Sequence, residues 1–307
     1  MSTASDTRGI LIIVATTVAV TGLLYSQRPL SAPMLASDMA TFSGFLPDDD
    51  LLGFVEIPAG PFRMGSDPNV DRRAYDNERW SASSYQGTVD VPAFYIARYE
   101  VTIAQFRTFV EATAFRVDPE ALRGPPDHPV GSVSWPDALA YCRWLERTFE
   151  EWSHTPPRLR RLLSDGWRVS LPTEAQWEKA ARGTDGRIFP WGDEPRPDRA
   201  NYRSATTAST TMGVGSFACP ECPFGLSDMS GNVWELTRSP YGPYPYDDLT
   251  TDNLVNFDLD ADALWVKRGG SYDDPDQNIR AAIRGGADPG ARRPFIGFRV
   301  VLTPIAP

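Results

Sequence analysis

Short apolar runs broken by Gly and Pro, rather than long helical periods, dominate this chain. The first run, Gly9 to Tyr25 (GILIIVATTVAVTGLLY), carries no charge. It sits at the lower length limit for a membrane-spanning helix. An uncleaved signal anchor over 9–25 is the expected reading, with a cleaved signal peptide as the alternative. Residues 1–8 are then an N-terminal tail. Residues 26–52, polar and ending in Asp48-Asp49-Asp50, are expected to be a flexible linker. The globular domain is expected over 53–307.

Within it, FVEIPAGPFRMGS (Phe54–Ser66) predicts two strands around a Pro-Ala-Gly turn, a hairpin. Strand character runs to Val101. A helix then starts behind Thr102, with Gln105 completing a capping box and Phe106, Phe109 and Val110 as its apolar stripe. Ser134-Trp135-Pro136-Asp137 marks a second helix start with Pro in the first turn, and Ala138, Tyr141, Cys142 and Leu145 share a face. Thr173 and Gln176 box a third helix, WRVSLPTEAQWEKAARG. On it Glu174 and Glu178 are i,i+4 neighbours. Paired carboxylates suit acid–base chemistry, but pairing of Glu178 with Arg182 is the plainer expectation. Near the C-terminus, Ser271–Tyr272 predicts a strand edge, Arg280 and Arg284 project as cationic spokes, and Phe295–Val300 reads as a buried closing strand of period two.

Composition narrows the classes. A formal net charge of −10 argues against nucleic-acid binding. Only two histidines, His128 and His154, are present, so a His-rich iron or zinc triad is hard to build. With 24 Gly and 28 Pro the domain is expected to be loop-rich. Cys219-Pro-Glu-Cys222 is expected as a loop-stapling disulfide, two free thiols or a redox or metal role being the alternatives. Cys142 reads as a small buried hydrophobe. The acidic stretch between Tyr241 and Trp265 reads as a solvated loop at the mouth of a cleft.

The segments RGGSYDDPDQNIRAAIRGG…IGFRV, FVEIPAGPFRMGS, YIARYEVTIAQF, the His128-Pro129-Val130 turn, LPTEAQWEKAARG, FPWG…AN and GLSDMSGNVWELT occur in one order. Together they resemble the formylglycine-generating enzyme, or sulfatase-modifying factor, family over residues 53–302. The resemblance implies a single compact α+β domain, C-type-lectin-like and poor in regular secondary structure. In the oxidase, two cysteines five residues apart bind copper as thiolates, which suit Cu(I). The matching positions here are Asp276 and Ala281, a hard oxygen ligand and no ligand. Copper is therefore not expected.

Calcium is. Asp228 and Glu235 through their side chains, and Gly231 and Val233 through their carbonyls, match a calcium site of the family, and calcium takes such mixed oxygen sets. The plain alternative has Asp228 capping a turn and Glu235 meeting an arginine. A second family calcium site keeps Asn201 but has no Asp in the following RSATTASTTMGVGSF.

The resemblance thus implies a membrane-anchored, extracytoplasmic, non-oxidase binding or accessory module, acting in maturation or assembly of a protein partner or envelope complex. The alternative is an enzyme of the same family, a non-heme-iron or formylglycine-type oxidoreductase.

Overall fold

The computed structural model describes residues 46–203, 205, 209–245 and 264–304. Among these, no helix is long and apolar enough to cross a membrane. The segment 9–25 expected to do so lies outside the described residues, as does most of the acidic stretch before Trp265.

The elements run β1 (Phe54–Ile57), β2 (Gly60–Gly65), β3 (Gln86–Val91), β4 (Phe94–Ala97), α1 (Ile103–Thr113), α2 (Trp135–Glu151), α3 (Pro157–Ser164), β5 (Trp167–Ser170), α4 (Glu174–Arg182), β6 (Trp234–Pro240), β7 (Trp265–Arg268), β8 (Arg284–Ala287), β9 (Ile296–Gly297) and β10 (Val301–Pro304). They build one four-stranded sheet in the order β1-β4-β10-β5, a second in the order β8-β7-β6-β9, and the ribbon β2-β3.

All three helix starts read from the sequence are capping boxes. Thr102, Ser134 and Thr173 accept from the backbone N–H three residues on, and Gln105, Asp137 and Gln176 accept in return. Each box satisfies two amide donors that a helix N-terminus otherwise leaves unpaired. The α1 stripe buries Phe106 and Phe109 against Tyr141 of α2, with ring centroids 5.9 and 5.7 Å away. Burial of each such ring is worth about 2–3 kcal/mol. Trp135, at the start of α2, stacks on Trp265 of β7 at 4.1 Å and donates its indole N–H to the Thr237 carbonyl, tying this helix to the second sheet.

Four expectations are corrected. β1 and β2 do not form a hairpin. β1 pairs with β4 and β2 with β3, both antiparallel. The local pattern marks each strand, while the partner is chosen by burial of Phe54 and Ile57 in one layer and Phe62 and Met64 in another. The closing strand is divided: β9 runs parallel to β6, and β10 enters the other sheet between β4 and β5. Arg299, between them, is fully buried. Ser271–Tyr272 is a turn, not a strand edge, and a 3-10 turn at Asp276–Ile279 follows it. The domain also begins before Gly53. The Asp49 carboxylate accepts from the Leu51 and Gly53 amides, and Leu51 is buried in the core.

Helix α4 is the centre of the fold, and all nine of its residues are buried. Ala175, Ala180 and Ala181 let it sit close to its neighbours, while its charged residues each find partners. Arg182 meets Glu178 at 2.9 Å, as the spacing predicted. The Lys179 ammonium donates to the carbonyls of Pro58 and Gly60. Arg268 of β7 bridges Glu174 and Glu178, and Arg284 of β8 clamps Glu174 through Nε and Nη2 at 2.8 and 2.7 Å. The cationic spokes are therefore internal struts. Arg280 likewise turns inward, onto Glu78 and Asp71. Glu174 and Glu178 carry structure, their oxygens spent on guanidinium and amide donors. Such a network is costly to break, because each charge has left water only in company.

Candidate functional site

The site is built on the loop Leu226–Val233 and the head of β6. Asp228 and Asn232 take left-handed backbone, φ 58 and 59°. Gly231, φ 77°, is required between them: a Cβ there would lie 2.2 Å from the Asn201 carbonyl oxygen. Asn201 is thus drawn against the loop. Its carbonyl accepts from the Asn232 N–H, and its amide donates to the Asn232 side chain at 3.2 Å.

Below the loop, Glu235 is fully buried and accepts from Arg299 Nε and Nη2, both at 2.6 Å, and from the Trp177 indole at 2.7 Å. Asp228 accepts from the Gly215 N–H at 2.6 Å. Burial, with Glu235 adding to it, pushes the Asp228 carboxyl up to about 6 against the pull of Gly215 and Arg299.

A third carboxyl, one that no sequence motif marks as a site residue, joins them. Glu100, from the strand-like YEVT, accepts from the Asn232 amide at 2.8 Å and the Val233 N–H at 3.3 Å. Burial first, then the charges of Asp228 and Glu235, hold it well above the usual carboxylate range. Its only signal was a lone charge ahead of a helix cap, which periodicity assigns to solvent. Three carboxyls therefore face one guanidinium. Of the four residues expected to hold calcium, Asp228, Gly231 and Val233 lie on one short loop, and Glu235 follows at the head of β6, already engaged by Arg299. Among the described residues, no three His, Cys, Asp or Glu side chains converge as a metal cluster.

The positions that the resemblance sets against the oxidase cysteines, Asp276 and Ala281, fall elsewhere. Asp276 opens the 3-10 turn, 39% exposed in its side chain, 3.6 Å from Arg73. Ala281 is fully buried and donates its N–H to the Ile188 carbonyl. Cys219 and Cys222 form a disulfide, as the sequence suggested. It packs against a small cluster holding Ile188, Phe189, Trp191 and, from the 3-10 turn, Ile279. Cys142 is buried in α2, and burial pushes its thiol pKa up. His128 and His154 sit on separate loops, hydrogen-bonded to the hydroxyls of Thr211 and Ser153.

Residues 46–304 match the sulfatase-modifying factor enzyme 1-like domain. The chain belongs to this family. It is 30% identical to the formylglycine-generating enzyme of Mycobacterium tuberculosis, over 83% of this chain and 99% of that enzyme. It is 25% identical to the inactive C-alpha-formylglycine-generating enzyme 2 of Bos taurus, over 81% of this chain and 87% of that protein. Among solved structures, PvdO of Pseudomonas aeruginosa superposes with a TM-score of 0.60 at 23% identity, covering 81% of this chain and 93% of PvdO. That likeness is one of fold. The family's compact mixed helix-and-sheet domain is what the sequence predicted.

Proposed function

We propose that this member of the family is a non-oxidase binding or accessory module, held outside the cytoplasm by the 9–25 segment and acting on the maturation or assembly of a protein partner. One observation carries the reading: the chain has no pair of thiolates to offer copper. Of three cysteines, two are bonded to each other and the third is buried in α2. The positions matching the oxidase pair hold Asp276, tied to Arg73, and Ala281, closed inside the core. The bovine relative described as inactive is in keeping with this reading. Purified protein given copper, oxygen and a cysteine-containing peptide is expected to form no formylglycine above a protein-free control. Turnover would overturn the reading.

The second reading is an oxidoreductase. It is favoured by the identity to the mycobacterial enzyme and by the packing of Cys219–Cys222 on the cluster that includes Ile279, which adjoins Arg280. A reduced Cys-x-x-Cys there is the dithiol such chemistry would draw on.

Calcium belongs to the first reading as a structural ion. Asp228 and Glu235 against the single Arg299 leave negative charge that a divalent cation offsets. Asp228 and Glu235 would supply carboxylate oxygens and Gly231 and Val233 carbonyls. Calcium at a hundredfold its dissociation constant would add about 2.7 kcal/mol to stability. The melting temperature is expected to fall on adding chelator, and Asp228→Ala to abolish that response. A wild-type melting temperature indifferent to chelator would remove calcium from the site.

A further inference from the structure

Beside the loop Leu226–Val233, at the Trp234 that follows it, lies a cation with aromatic neighbours and no hydrogen-bond acceptor among the described residues. Lys267 sits on β7 opposite Gly285 of β8, whose missing side chain leaves room for the lysine stem; a Cβ there would lie 3.1 Å from Lys267 Cε. Its ammonium stands 4.1 Å from the Trp234 ring centroid and 5.9 Å from that of Phe295. It accepts this aromatic company without any hydrogen-bond acceptor among the described residues, in contrast to Lys179, which donates to carbonyls.

Among the described residues, the carboxylate that acts on Lys267 is that of Asp274, and it is engaged elsewhere. Asp274 takes the Trp234 indole N–H at 2.8 Å, the Ser271 amide and hydroxyl at 3.0 and 2.6 Å, and the Asn278 amide at 3.0 Å. Asp274 therefore fixes the Trp234 ring over Lys267 rather than pairing with the lysine. Lys267 remains half-buried. Its pKa is lowered by that burial, against the pull of Asp274, as for an ammonium short of partners. β8 is the edge of its sheet.

We propose that Lys267, framed by Trp234, Phe295 and Gly285, is a recognition site for a carboxylate presented by an acidic peptide segment of a partner protein. Charge complementarity selects the ligand. A partly desolvated ammonium with no acceptor among the described residues gains a charge-assisted hydrogen bond from a carboxylate. The flanking rings exclude water and pack on the methylenes of an aspartate or glutamate. The glycine-lined edge lets a peptide backbone come close. The proposal rests on the chain being a binding module, and names what it binds.

The test uses the full chain labelled with 15N-tryptophan, with the Trp234 indole signal assigned by Trp234→Phe. Three probes are titrated: acetyl-Gly-Gly-Glu-Gly-Gly-amide, its Gln counterpart, and the Gln peptide with a free C-terminal carboxylate. The Glu probe is expected to shift the Trp234 indole signal saturably, at least about tenfold more tightly than the Gln amide. Lys267→Met should abolish the difference and Lys267→Arg should keep it. A response confined to the free-carboxylate probe would support the same chemistry with a chain terminus as its source. Equal shifts from all probes, discrimination surviving Lys267→Met, or no shift from any probe would overturn the site. Because the signal reports binding without turnover, it succeeds or fails independently of any oxidase activity.

Discussion

Glu174→Gln is expected to cost about 3–5 kcal/mol of stability, a fall of about 10 °C in melting temperature for a domain of this size. The side chain keeps its shape and loses only its charge. Yet Glu174 is fully buried and accepts from Arg268, Arg284 and the Tyr244 hydroxyl. Its neutralisation leaves Arg182, Arg268 and Arg284 in the interior with Glu178 as the remaining carboxylate of the group. Among the described residues this sets three buried guanidiniums against one carboxylate, and in a low dielectric they repel one another. The contrast is Arg123→Ala, which removes an ion pair to Glu120 whose side chains are 71% and 55% exposed. That change should stay within about 0.5 kcal/mol. Thermal melts of both variants decide the matter. Equal effects would mean that the buried network contributes no more than a surface pair.

Gly270→Ala is the second large effect, expected at about 3 kcal/mol or more. The backbone at Gly270 is left-handed, φ 74°, and an added Cβ would lie 2.2 Å from the Asn278 carbonyl oxygen and 2.8 Å from Ile279. Neither neighbour can withdraw easily, because Ile279 is fully buried and its carbonyl accepts from Ser230. Gly166→Ala separates the two causes. Its φ is also positive, 89°, but nothing lies within 4 Å of the new Cβ. Only the dihedral cost of about 1–2 kcal/mol should remain there. Chemical denaturation of the two variants reads the difference directly.

What the sequence made legible was local or motif-borne. Thr102 with Gln105 and Thr173 with Gln176 are boxes whose geometry is set within four residues, and both form as read. Pairing is not local. Phe54–Ile57 and Gly60–Gly65 look like two arms of a hairpin, and only the layers that bury them send each to a different partner. Charge in the interior was equally hidden. The buried strand read over Phe295–Val300 includes Arg299, and Glu235, distant in sequence, makes the burial of that charge tolerable. Glu100 joined the site by the same route, through Asn232 and Val233. Lys267 carries no pattern, being one lysine in a strand next to RGGS, and its setting depends on Asp274 being engaged by Trp234, Ser271 and Asn278.

Residues 46–304 match the family's domain, and the positions that the resemblance sets against the oxidase cysteines hold Asp276 and Ala281. The most direct measurement is a titration of the purified, non-reduced full chain with Cu(I) against a competing chelator, beside the Cys219→Ser/Cys222→Ser double variant. No tight copper is expected on either protein. One equivalent of Cu(I) held by the wild type and lost from the double variant would place a thiolate pair at work in this fold and contradict the non-oxidase reading.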